Sequence, residues 1–174
     1  MLMSESSLEK WSGIFLKTAY LKNELREAED FMDPDQADYG KACQVIDYLG
    51  VIDSGDGDVL VLGDDRMSTT TVHQTKKEVV LARWGHGESE EHVHAVLSKL
   101  SAGDIKDWKE HASINIQSNR QFIFDSAMEG NLLKHKNPSI GFLKLSLAKG
   151  SYKAFTSVFE PDPSTRLVLH WIRL

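Results

Sequence analysis

Apolar residues change period along the chain, and those changes predict its elements. Leu21, Leu25, Ala28 and Met32 fall at helical spacing, so a helix is expected over Tyr20–Met32, stopped by Asp33-Pro34. A short strand is expected before it, from Gly13 to Lys17. Asp35 can cap a second helix with Asp38 in its first turn and an inward stripe of Tyr39, Ala42, Cys43 and Ile46. That stripe would place the thiol on a core face, where it behaves as a small inert hydrophobe. Tyr48–Ile52 and Val59–Leu62 read as strands around the polar loop Asp53–Asp58, whose glycines supply the positive φ of a hairpin turn. A third strand is expected at Val79–Trp84, broken by Gly85 and Gly87. Ser89 can cap a helix opened by Glu90 and Glu91, with Val93, Val96, Leu97 and Leu100 as its inner stripe.

After Gly103 the period becomes two. Strands are expected at Ala112–Gln117, Gln121–Phe124, Phe142–Leu147, Tyr152–Phe159 and Leu167–Ile172. Ser118-Asn119 and Lys149-Gly150 would be turns, and Pro161-Asp162-Pro163-Ser164 a longer loop. About three helices and eight strands result, with the helices early. This is an α+β pattern of mainly antiparallel sheets with a strand-rich C-terminal half. No repeat, low-complexity tract or linker divides the 174 residues, so residues 1–174 are expected to form a single domain.

Charge sharpens the picture. Net charge is -6, and residues 1–103 hold 19 acids against 10 bases, whereas residues 104–174 hold 7 against 10. An acidic surface argues against nucleic acid, whose phosphates require clustered Lys and Arg, and favours a basic protein partner. The single cysteine excludes an internal disulfide and any multi-cysteine zinc site, and suits a reducing, cytoplasmic compartment. No apolar run approaches the roughly 20 residues needed to cross a bilayer, so no membrane role is expected.

Candidate chemistry is sparse. His86, His92 and His94 invite a metal site, but on a helix His92 and His94 stand about 200° apart. A small metal-dependent enzyme using these histidines stays open as an alternative, as does an adaptor or scaffold domain. Asp53–Asp58 misses the ligand positions of a calcium loop, and no nucleophile elbow, phosphate loop or dinucleotide fingerprint is present. No catalytic residue, metal or cofactor is assigned.

The order of certain short motifs is more telling. Asp38-Tyr39-Gly40-Lys41-Ala42-Cys43, Asp47-Tyr48-Leu49-Gly50, Gly55-Asp56-Gly57, Val59-Leu60-Val61-Leu62-Gly63-Asp64 and Ser68-Thr69-Thr70 follow one another. Arg83-Trp84 precedes the acidic run Glu88–Glu91, and Phe124-Asp125-Ser126-Ala127, Gly150-Ser151-Tyr152, Pro161-Asp162 and Leu169-His170 come later. This arrangement resembles bacterial immunity protein family 21 over residues 11–174. The resemblance implies a cytosolic, non-enzymatic antidote that binds and blocks a cognate toxin domain, such as a nuclease or nucleotide-modifying enzyme. It brings no catalytic residues with it. The acidic loop and the neighbouring strand end, Asp53, Asp56, Asp58, Asp64, Asp65 and Arg66, are the expected contacts, because a negative face can mimic phosphate in a basic cleft.

Overall fold

The computed structural model describes residues 1–14, 38–54, 57–63, 67–100, 105–133 and 141–174. Ten strands form two five-stranded antiparallel sheets. In chain order, β1 is Leu2–Ser4, β2 Gly50–Asp53, β3 Asp58–Val61, β4 Ser68–Gln74 and β5 Glu78–His86. β6 is Lys109–Ile116, β7 Arg120–Ile123, β8 Leu143–Ser146, β9 Gly150–Asp162 and β10 Thr165–Arg173. Two α-helices, α1 (Asp38–Cys43) and α2 (Glu90–Lys99), and two 3-10 turns (Glu5–Lys10 and Gly130–Leu133) are described with them. The fold is α+β and strand-rich.

The first sheet runs β2-β3-β1-β7-β8 and the second β4-β5-β10-β9-β6. They pack face to face because alternate positions on each are apolar. Leu2, Leu60, Leu81, Ile114, Ile123, Tyr152 and Ile172 fill the space between them. The alternate residues of the first sheet, Met3, Val59, Val61 and Phe122, bury against Leu8, Trp11, Ala42 and Leu133 on its far side. On the far side of the second sheet, Ala82, Leu167 and Leu169 meet Val93 and Leu97 of α2. Each sheet is therefore apolar on both faces, which is why Val59-Leu60-Val61-Leu62 and Val79-Val80-Leu81-Ala82 read as continuous runs.

Most expected elements form within a few residues of their expected limits. Ser89 caps α2 as its sequence suggests, its Oγ accepting the backbone N–H of His92 at 3.1 Å. Four expectations are corrected. Two strands went unrecognised: β1, which sits at the centre of the first sheet with Leu2 opposite both Leu60 and Ile123, and the threonine-rich β4. The stripe on α1 is narrower than expected. The helix stops at Cys43, and of the expected stripe only Ala42 is buried; Cys43 is exposed and Ile46, beyond the helix end, is 89% exposed. Gly13 and Ile14 lie in a turn, not a strand. Finally, β9 runs through Pro161 to Asp162, which faces Thr165, so the last connection is the two-residue turn Pro163-Ser164. The expected helix over Tyr20–Met32 lies outside the described residues.

Candidate partner-binding surfaces

The β2–β3 hairpin carries the acidic loop. Asp53 and Asp58 face each other across the last pair of its ladder. Ser54 closes the turn by donating both its backbone N–H and its hydroxyl to the Gly57 carbonyl, at 3.3 and 3.1 Å. Gly57 has φ of 130°, a conformation that a side chain would strain, so glycine is required there. Asp53 is exposed. Asp58 is partly buried, and its Oδ2 accepts the backbone N–H of Asn115 on β6 at 2.8 Å. Of the expected contact residues, Asp53 and Asp58 are thus brought together, with one of them tied to the neighbouring sheet. Asp56, Asp64, Asp65 and Arg66 lie outside the described residues. Gly63, just before the latter three, lies past the opposite end of β3 from Asp58, a separation of about 16 Å along a strand.

At that opposite end the chain forms a cleft of about 660 Å³ lined by Tyr39, Leu62, Gly63, Ser68, Thr69, Arg83, Asp125 and Phe142, among others. Arg83 is the residue that periodicity could have exposed. It follows Val79 and Leu81 at period two, so β5 turns its guanidinium inward, and only 6% of the residue is accessible. Gly63, with φ of 72°, lets the chain pass this group: a Cβ there would stand 3.0 Å from Arg83 Nη1 and 3.2 Å from the Tyr48 carbonyl oxygen. Beside Arg83 lies His170 of β10, fully buried, with Nδ1 3.0 Å from Thr156 Oγ1. Burial first, then the positive charge of Arg83 and the nearby His111, pull the His170 imidazole down to about 3, so it is neutral at physiological pH.

The three histidines considered for a metal are not assembled into a site. His92 Nε2 lies 3.1 Å from Asp162 Oδ2, and His94 lies edge-on to Trp84 with Nε2 3.7 Å from Glu90. His86 ends β5 and is exposed. Among the described residues no group of three His, Cys, Asp or Glu side chains is placed to hold a metal ion. Hydrogen bonds from Ser164, with a further one from His92, hold the Asp162 carboxyl down at about 2, and the His92–Asp162 contact links α2 to the β9–β10 turn.

A third surface lies on the outer face of the second sheet. There Trp171, Phe155 and Trp108 are half-buried, with Trp108 and Trp171 centroids 5.6 Å apart and Phe155 and Trp171 centroids 5.9 Å apart. The Arg173 guanidinium lies 4.5 Å from the Trp171 ring centroid. Alternation along β10 places Trp171 on the same face as Leu167 and Leu169, but it does not tell that this end of the face emerges into solvent. The signal was Arg173, which shares the outward parity of Trp171.

Comparison with known proteins gives the family of the chain. A family model described as Immunity protein 21 matches residues 1–165. The chain belongs to the immunity protein 21 family. The match takes in the first sheet, the acidic hairpin and the second sheet up to the start of β10, including residues 1–10, before the start of the resemblance read from its motifs; Trp171 and Arg173 lie beyond it. No curated protein and no solved structure gives a significant match. Among the described residues, no helix of this immunity protein is long and apolar enough to cross a membrane.

Proposed function

We propose that this chain is a cytoplasmic antidote that binds a cognate toxin domain and occludes its active site, acting by contact and not by catalysis. The observation that carries this reading is the family match over residues 1–165. Its net charge of -6 supports a toxin with a basic cleft, the kind that a nuclease or nucleotide-modifying enzyme presents to phosphate. The proposed contacts are Asp53, Asp56 and Asp58 at the hairpin end of β3 and Asp64, Asp65 and Arg66 beyond its other end. A stable complex would bury roughly 800 Å² of each partner, more than this set of side chains alone supplies.

The test is co-expression with the toxin encoded beside it, followed by titration of the purified toxin with the purified chain. Growth should be rescued, and toxin activity should fall stoichiometrically, with a dissociation constant on the order of nanomolar or tighter. A toxin that keeps full activity in excess antidote would sink the proposal for that pair. Charge reversal at Asp53 and Asp56 should slow association far more than it speeds dissociation if steering by the acidic tip is correct.

A further inference from the structure

We infer that the aromatic, cationic end of the second sheet's outer face is a docking surface for an acidic segment of a protein partner. α2 covers only part of this face: Val93 and Leu97 pack over Ala82, Leu167 and Leu169. Towards the end of β10 the described residues of α2 are no longer packed on the face, which continues as Phe155, Trp171 and Arg173, with Trp108 against Trp171. The Arg173 guanidinium lies 4.5 Å from the Trp171 centroid and 5.3 Å from that of Phe155. Trp and Arg recur as the residues that dominate protein interfaces, because they bury large areas and keep a polar edge for bonding.

Charge identifies the occupant. Lys76, Lys77, Lys149, Lys153 and Arg173 are all exposed. They form one surface because the β4–β5 turn is bonded to the segments beside it. Ala148 donates its N–H to the Lys76 carbonyl at 2.6 Å, and Leu174 donates to the Lys77 carbonyl at 2.9 Å. The two acids among them are engaged. Glu78 accepts from Trp171 Nε1 at 3.1 Å and pairs with His73 at 3.3 Å, while Glu110 pairs with Lys153 at 2.9 Å. A cationic, aromatic surface therefore stands on a protein of net charge -6, and carboxylates are its complement.

A protein is favoured over nucleic acid by what flanks the surface. Asp58 is bonded to Asn115, and Asn115 pairs with Ser151 at the start of β9, so the acidic tip of the β2–β3 hairpin stands at the same end of the molecule. A phosphate backbone crossing the lysines would meet those carboxylates. A short acidic segment can lie on the cationic face alone. This inference goes beyond the antidote reading and does not require the toxin's identity.

The test uses the full chain and a fluorescent peptide of alternating Glu and Phe, with the same peptide carrying Gln for Glu, and with labelled oligothymidine. The Glu peptide should bind, and binding should weaken as salt is raised. The Gln peptide should bind about tenfold more weakly, and Lys77→Glu with Arg173→Glu should weaken the Glu peptide by about tenfold or more at an unchanged melting temperature. Failure of the Glu peptide to bind, equal binding of the Gln peptide, or unchanged binding to the double variant would overturn the inference. Binding of oligothymidine in preference to the Glu peptide would overturn it in favour of nucleic acid.

Discussion

Asp58 and Asn115 join the two sheets: the aspartate Oδ2 on β3 accepts the asparagine backbone N–H on β6 at 2.8 Å. The bond holds the acidic hairpin against the edge of the second sheet. Replacing Asp58 with Ala should cost about 1–2 kcal/mol, as for a charge-assisted bond near the surface. Asp58→Asn keeps an acceptor and should cost less. Urea unfolding midpoints separate the two, and equal, negligible shifts would show that the bond contributes nothing.

The buried imidazole of His170 makes stability depend on pH in one direction. Its neighbours are Thr156 from β9, Arg83 from β5, His111 from β6 and the amino group of Met1, and three of these are groups whose positive charge opposes its protonation. The folded value of about 3 lies below the ordinary 6.5. The unfolded chain therefore binds the extra proton first. The stabilisation is fully present above about pH 6.5 and is lost as pH falls towards 3, by up to about 1.4 kcal/mol per pH unit from this group. His170→Gln should flatten that slope. Unfolding midpoints taken near neutrality and again at about pH 5 would read it; an equally steep loss in the variant would assign the effect to other groups.

Cys43 should react with a thiol reagent in the native protein without denaturant, because it is exposed at the end of α1. Cys43→Ser should leave stability within about 0.5 kcal/mol. A thiol that reacts only on unfolding would contradict its position.

Trp11 anchors the chain's first turn to the far side of the first sheet. It is buried among Met3, Leu8 and Phe124, and its Nε1 donates to the Ser126 carbonyl at 3.0 Å. Trp11→Ala should cost about 3–5 kcal/mol, and Trp11→Phe markedly less, because the phenyl ring fills most of the volume. Calorimetry or urea unfolding gives both values; an Ala variant as stable as the parent would mean that the pocket collapses around the loss.

What the sequence made legible follows from where periodicity has room to act. β5, β9 and β10 are long, apolar on alternate or both faces, and were recognised; so was α2, whose Ser89 cap and acidic opening state its start. β1 has three residues, too few to display a period, and its identity comes only from pairing with Leu60 and Ile123 far along the chain. β4 is polar except for Val72, and only its run of β-branched threonines marked it. At the candidate surfaces, the hairpin that brings Asp53 opposite Asp58 was legible because a glycine-bearing acidic loop between two apolar runs marks a turn. Arg83 was missed although its parity with Val79 and Leu81 marks it as inward-facing; the cleft it lines shows only once the facing sheet is known. The aromatic end of the second sheet was hidden for the reverse reason: composition cannot say where a covering helix stops.

The pairing of Leu2 with Leu60 and Ile123 has a kinetic corollary. The middle of the first sheet cannot close until residues near position 123 have been synthesised and brought back to the start of the polypeptide, a search that slows folding. Until then β1, even when paired with β3, lacks β7 on its other side and presents a bare ladder edge open to wrong pairing. During translation, protection should therefore lag well behind the emergence of the acidic hairpin, and the nascent chain should be most prone to aggregation in that interval.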